Sequence, residues 1–409
     1  MSNISRDVFD KCRPERGNFA EHGAEDNNYF LSPVLSGSTG PHMSFNEKPM
    51  IVWTINDYLG LAQHPDIQNA AMQTMEHSGI TAPMGARLMS GNTPAHMALE
   101  QKLALLTQKE ESLLFIAGYL GVMGCIAQLV GRGDTIVIDQ YSHACMIDGA
   151  FLAKGRHGAK IRPFKHNDMQ DLERQLKISY DENQGGILIV TEGVFGMRGD
   201  LANLPEICHL KEKYGARLFL DDAHGLGVMG ESGLGCGEYF AVQDKIDLYF
   251  STFAKAFVSI GGFVSGNKDI ISYLRLNSRP AVFSKAHPLV LISAIDVATD
   301  LIAGAQDRRM HLWAITQALQ EGLRALDLNI GETCSPITPV YVHGGDADLA
   351  KRMLCLLRDE YQIFVTAVTA PVVPQGTILF RLVATAAHSM QDVETTLAAF
   401  GAVMQRLQL

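Results

Sequence analysis

The sequence predicts an α/β protein, a mostly parallel sheet covered by helices on both faces and followed by a smaller α+β unit. Three observations predict it. Between about residues 112 and 265, short β-branched runs alternate with stretches of helical periodicity, the pattern of strands joined by crossover helices. Four of those runs end on or beside residues able to do chemistry, Asp139, Glu192, Asp221 and Thr252, and ligands of such sheets sit at the carboxyl ends of strands. After about Pro288 the alternation stops and long helical patterns precede short strands. The division that follows is an N-terminal arm over 1–48, a large domain over 49–287 and a C-terminal α+β domain over 288–409.

Taken in order, the arm is polar and irregular, with Gly, Pro and Ser between Ser32 and Pro41. Met50 to Leu61 reads as a strand and turn, and a helix follows through Glu76. After a Gly- and Pro-broken loop, Pro94–Leu106 carries apolar residues at helical spacing. Strands are expected at Ser112–Ile116, Thr135–Asp139, Ile187–Glu192, Leu218–Asp221, Leu248–Ser251 and Phe263–Ser265. Helices are expected between them at Leu120–Val130, Met169–Lys177 and Leu204–Tyr214. The C-terminal region reads as helices His287–Ala305 and Met310–Leu326, then Pro336–Val342, a helix from Asp346, strands near Ile363–Val368 and Ile378–Ala384, and a last helix from Ser389.

The bulk numbers exclude several classes. A length of 409 residues supports a substantial core. A formal net charge of -10 argues against nucleic acid as a partner, because that affinity rests on a basic face. No apolar run approaches the roughly 20 residues of a membrane span, and the N-terminus does not read as a secretory signal. The seven scattered cysteines contain no C-x-x-C, which fits reduced thiols and no metal site. A cytoplasmic enzyme is the expectation.

Five features carry chemistry, each with a plainer alternative. F-I-A-G-Y-L-G ends a strand and opens a helix at Gly118 and Tyr119. It binds phosphate on free helix amides, or it is an ordinary strand–helix turn. Asp221, with Asp222 and His224 beside it, closes an apolar strand; alone it would read as a loop carboxylate. His143 follows another strand and either stacks on a ligand ring or is simply hydrogen-bonded. Lys255 lies in the apolar stretch S-T-F-A-K-A-F-V. Burial there lowers its pKa and favours the free amine a Schiff base needs, whereas the alternative is a snorkelling surface lysine. Arg381, within T-I-L-F-R-L-V-A, suits a bidentate grip on a substrate carboxylate, or it points to solvent from a half-exposed strand. An amine, an acid and an imidazole brought to one sheet edge suggest pyridoxal phosphate as cofactor. Two other motifs are set aside. G-L-G-V-M-G at Gly225–Gly230 starts too far past its strand for a dinucleotide fingerprint, and Arg198–Asp200 (R-G-D) reads as a turn.

Together these motifs resemble the α-oxoamine synthase family of fold-type I pyridoxal phosphate enzymes. The likeness runs from N-D-Y-L-G-L (Asn56–Leu61) to T-A-A-H-S-M-Q-D-V (Thr385–Val393), through G-A-R-L-M-S-G-N-T-P-A-H, S-H-A-C-M-I-D-G, T-E-G-V-F-G-M-R-G-D, D-D-A-H-G and S-T-F-A-K-A. The resemblance implies a seven-stranded, mostly parallel sheet and a homodimer with shared active sites. It implies Lys255 as the Schiff-base lysine, His143 stacked on the ring, Asp221 at the pyridinium nitrogen and His224 at the ring oxygen. Gly118, Tyr119 and Thr252 would lie at the phosphate, with Ser284 reaching it from the other subunit. Arg381 would hold the substrate carboxylate, and Asn56 and Arg87 would face the acyl donor. The sequence departs from the family's commoner pattern at Gly196, where serine is usual, and at Ala117, Ala254 and Lys285.

The reaction so implied is condensation of an amino acid with an acyl thioester, with loss of CO2. The segments E-T-C-S-P-I-T-P-V-Y-V and V-T-A-P-V-V-P-Q-G resemble the bacterial serine palmitoyltransferase-like group, so serine and a long acyl-CoA are the expected substrates. Oxononanoate-synthase-like or ketobutyrate-ligase-like chemistry, an acyl carrier protein as donor, and transamination on the same fold are the alternatives.

Overall fold

The computed structural model describes residues 8–9, 27–30, 32–182 and 185–409, so most of the expected arm lies outside the described residues. Where it is described, the arm is not irregular. Leu35–Ser36 (β1), His42–Phe45 (β2) and Lys48–Val52 (β3) form an antiparallel meander. Its tight turn places Asn46 and Glu47 at φ of 48° and 63°, the pair of left-handed residues that a type I′ hairpin requires. β3 then pairs in parallel with Ile363–Phe364, which ties the start of the chain to its C-terminal part. The fully buried Arg358 guanidinium locks this junction, stacking over Phe364 at 4.2 Å and donating to the Val365 carbonyl.

The large sheet comprises Glu111–Phe115 (β4), Thr135–Asp139 (β5), Lys160–Phe164 (β6), Ile187–Glu192 (β7), Arg217–Asp221 (β8), Leu248–Thr252 (β9) and Gly262–Gly266 (β10). Their order is β4-β10-β9-β8-β7-β5-β6. β10 is antiparallel to both neighbours, and the other pairings are parallel. Successive side chains go to opposite faces, so the strands split their residues between two cores. Ile136, Ile138, Leu188, Val190, Phe219, Leu248 and Phe250 pack on one side under the helices Gly118–Leu129 and Ala144–His157. Val137, Ile189, Leu218, Leu220 and Tyr249 pack on the other, against Met169–Glu182, Leu204–Lys213 and the C-terminal helices. Each such large side chain contributes about 1.5–3 kcal/mol on burial. That two-sided burial is why these strands read as continuous apolar runs.

β6 was not expected as a strand. Its K-I-R-P-F is only partly buried and contains Pro163, a residue tolerated because β6 is the sheet's edge.

The C-terminal strands are Ile337–Tyr341 (β11), the Ile363–Phe364 segment just described (β12), Thr366–Val368 (β13) and Leu379–Val383 (β14). β14 is central in the antiparallel order β11-β14-β13 and is buried along all five residues. Gln306–Ala325 and Met390–Leu407 pack together in the core that β14 shares, the latter opened by a Ser389–Asp392 capping box, while Leu289–Ala303 lies against Pro65–Ser78 and Pro94–Leu106. Among the described residues no single helix is long and apolar enough to cross a membrane.

Candidate active site

The carboxyl ends of β5, β7, β8 and β9 converge, and the side chains they release define the site. Asp221 ends β8, buried, with one oxygen accepting from the Ala223 amide at 3.1 Å. Its neighbour Asp222 turns away into the protein, where Oδ2 accepts from Tyr249 Oη and the Cys236 amide, each at 2.7 Å. Of the pair, Asp221 is the one close enough to act electrostatically on both Lys255 and His143.

Lys255 follows β9 on a short loop and is half-buried. Burial lowers its pKa, with the Asp221 and Glu192 carboxyls opposing. Burial raises the Asp221 pKa in turn, and the Lys255 charge pulls it back. Glu192, at the end of β7, is the third member. Burial and then Asp221 push it up to about 8, and its two oxygens accept from the amides of His143 (2.7 Å) and Gly196 (3.4 Å). His143 caps the next helix, its Nδ1 accepting from the Cys145 amide at 3.3 Å. Burial lowers its pKa, and Asp221 and Lys255 act on it with opposite sign. Tyr119 meets the His143 ring edge-on at 6.0 Å.

On one side of this group the backbone forms a cradle. The helix Gly118–Leu129 starts at Ala117, which offers no side-chain cap, so its first amides have no side-chain partner. A Cβ on Gly118 would sit 2.9 Å from Thr252 Oγ1 and 3.4 Å from the Gly261 carbonyl. Thr252 is fixed there, donating to Gly261 O at 2.8 Å and accepting from the Ala254 amide at 3.2 Å.

On the other side stands Arg381. Because β14 is a buried central strand, the solvent-facing alternative is ruled out. Arg381 Nε donates to the Gly196 carbonyl at 2.6 Å, and both terminal nitrogens reach Asn56 Oδ1 at 3.3 Å. Its charge acts on His224 and Lys255. His224 is buried, with Nδ1 2.6 Å from Tyr58 Oη, and burial drives its pKa well below the usual histidine value.

Two expected residues stand apart from this group within one chain. Arg87 is engaged in a bidentate ion pair with the buried Glu100 at 3.0 and 3.1 Å, so in one chain its guanidinium is held by that carboxylate. Ser284 lies on the loop after Arg279–Phe283, beside the bridge between Lys285 and Ala86. Sequence reasoning missed two others. Tyr58 was read as part of a strand and turn, although it lies two residues beyond Asn56. Glu192 was noted at a strand end but given no role.

The residues fit pyridoxal phosphate. A half-buried amine of lowered pKa lies near a buried acid, an imidazole flanks them, and a helix N-terminus with free amides and no side chain at Gly118 opens beside them. The aminotransferase class I and II family matches residues 48–400. A cysteate-C-fatty acyltransferase from Capnocytophaga ochracea is 41% identical over 407 residues, covering 98% of this chain and 96% of that protein. An 8-amino-7-oxononanoate synthase from Thermoanaerobacter pseudethanolicus is 36% identical over 376 residues, 92% and 93% of the two chains. A solved serine palmitoyltransferase variant from S. paucimobilis, holding PLP and myriocin, superposes with a TM-score of 0.89 at 29% identity, covering 98% and 100%. The chain therefore belongs to the aminotransferase class I and II family and, within it, to the pyridoxal-phosphate-dependent acyltransferases of the α-oxoamine synthase group.

Proposed function

We propose that the protein joins cysteate to a fatty acyl thioester, releasing CO2 and the free thiol and leaving an α-amino ketone. The observation that carries the reaction class is the convergence of Lys255, Asp221 and His143 at the strand ends of the large sheet, with Arg381 brought to them from β14. The choice of amino acid rests on the 41% identity to a cysteate-C-fatty acyltransferase. Serine, the substrate favoured by sequence reasoning, is the second reading, supported by the TM-score of 0.89 to a serine palmitoyltransferase.

Pyridoxal phosphate, when bound, supplies the electron sink for a carbanion at the substrate α-carbon. Lys255 Nζ would anchor it and would serve as the base for the α-proton, a role that a depressed pKa favours. Asp221 would hold a proton on the ring nitrogen, and His143 would flank the ring. The amides of Gly118 and Tyr119, with Thr252, would hold the phosphate. Arg381 would grip the substrate carboxylate and orient the amino acid, with Asn56 beside the guanidinium. The working unit would be a homodimer to which Ser284 contributes from the other subunit. In support, Phe283, Met84 and Met89 around that loop are 71%, 77% and 84% exposed in one chain, an apolar patch suited to a second copy.

The test is spectroscopic. Protein loaded with pyridoxal phosphate is titrated with cysteate, serine, alanine and glycine, and the amino acid that moves the visible band is then mixed with acyl-CoAs of several lengths while free thiol is followed. A cysteate response with thiol release from long chains supports the proposal. A serine response replaces it with the second reading, and alanine with pimeloyl-CoA refutes both. A band shift with no thiol from any CoA points to an acyl carrier protein as donor, or to transamination.

A further inference from the structure

The Tyr58–His224 contact resolves into one proton arrangement. Tyr58 is 1% exposed, and burial pushes its hydroxyl pKa up to about 12, so the phenol keeps its proton. His224 is held neutral by burial and by the nearby charges of Lys255 and Arg381. Two neutral groups 2.6 Å apart share one hydrogen, and either can donate. Burial decides which. Among the described residues His224 Nδ1 is the one hydrogen-bond partner of the phenol oxygen, so a phenol proton turned elsewhere would be a buried donor left unmade. The phenol proton therefore goes to His224 Nδ1. The other ring nitrogen, Nε2, must then carry the histidine's hydrogen.

That Nε2 faces Gly196. A Cβ on Gly196 would lie 2.5 Å from Nε2, 3.1 Å from Cδ2 and 3.4 Å from Cε1, so any side chain there displaces the ring. The carbonyl of this same glycine accepts from Arg381 Nε at 2.6 Å. Gly196 thus meets Arg381 through its carbonyl and His224 through its bare α-carbon, between the strand end that carries Glu192 and the central strand of the C-terminal sheet.

We propose that Tyr58 is a positioning residue that fixes His224 as the Nε2–H tautomer, an obligate donor on its open side, with Gly196 keeping that side clear. The inference rests on the reading of His224 as a contact to the cofactor's ring oxygen, because an anionic oxygen is the acceptor such a donor would serve.

Two measurements test it. In protein labelled with 15N-histidine, the His224 signals, assigned by their loss in His224→Phe, are expected to show a neutral ring protonated at Nε2, and Tyr58→Phe is expected to give a tautomer mixture. A ring protonated at Nδ1, or one unmoved by Tyr58→Phe, overturns the proposal. The second measurement is cofactor affinity, read by titrating pyridoxal phosphate back into cofactor-free protein without amino acid or acyl donor. Tyr58→Phe is expected to weaken binding about tenfold, the loss of one buried hydrogen bond, and by less than twofold when His224 is already Phe. Equal losses in both backgrounds overturn the proposal. If His224→Phe alone leaves the affinity unchanged, the reading of His224 as a cofactor contact fails, while the tautomer result still decides the role of Tyr58.

Discussion

Arg87→Ala separates a structural role from a substrate role at one position. Glu100 is 5% exposed and makes four contacts through its carboxylate. Oε1 accepts from Arg87 Nη1 and the Leu114 amide, both at 3.0 Å, and Oε2 from Arg87 Nη2 at 3.1 Å and Arg275 Nη1 at 2.8 Å. Breaking a buried ion pair outright costs about 3–5 kcal/mol. Removing Arg87 takes two of the four contacts and leaves Glu100 one guanidinium and one amide, so the expected loss is about 2–3 kcal/mol. Over 409 residues an unfolding entropy of about 2 cal/mol/K per residue turns that into a drop of roughly 3 °C in Tm. Thermal melts of the wild type, Arg87→Ala and Arg87→Lys are to be set beside KM for amino acid and acyl donor. A lowered Tm with both KM values within twofold is expected, with partial recovery in the lysine variant, which keeps the charge and loses the fork. An unchanged Tm with a raised KM for the acyl thioester would refute it and return Arg87 to the acyl-donor side.

Two further outcomes are expected. His166 lies between Asp139 (3.0 Å) and Asp200 (2.8 Å); burial opposes its charge, yet the two carboxylates outweigh it and raise the pKa to about 9. A raised histidine pKa stabilises the fold fully below about pH 6.5 and loses that contribution as pH rises through about 9. Melts of wild type and His166→Gln should therefore differ by about 3 kcal/mol near pH 6 and converge near pH 10; a gap independent of pH would show that the ring is not protonated. Arg381→Lys removes the fork and about two charge-assisted bonds, so KM for the amino acid should rise about 100-fold with cofactor affinity within threefold. An unchanged KM would remove Arg381 from the carboxylate.

Most of the fold was legible because its strands are buried on both faces. Six of the seven strands of the large sheet are near-continuous apolar runs, and burial on both sides leaves no room for polar alternation. β6 was missed for the converse reason: an edge strand can keep Lys160, Arg162 and Pro163. Of the N-terminal meander only the end of β3 was read, within Met50–Leu61; β1 and β2 were missed, and so was the pairing of β3 with Ile363–Phe364, more than 300 residues away, which no local pattern announces. Arg381 was legible as a residue but ambiguous as a site, and what resolves it is β14 lying between β11 and β13, a fact of topology. Asp221 and Asp222 are indistinguishable in sequence. The pleat decides between them, sending one to Lys255 and the other to Tyr249 and the Cys236 amide.

Glu192 and Gly196 show where reading by residue type stops. A carboxylate at a strand end announces a place in the site, and Glu192 was recognised to that extent. Its work, however, is done on the amides of His143 and Gly196, and amides carry no sequence signal. Gly196 reads as a missing side chain, a position from which one hydrogen bond has been deleted. In the folded protein its carbonyl orients Arg381, its amide meets Glu192, and its empty Cβ position is what the His224 ring requires. A side chain there would trade a hydroxyl or methyl group for the position of the imidazole. Gly196 therefore leaves the room that the His224 ring occupies, and Tyr58 holds that ring through its Nδ1.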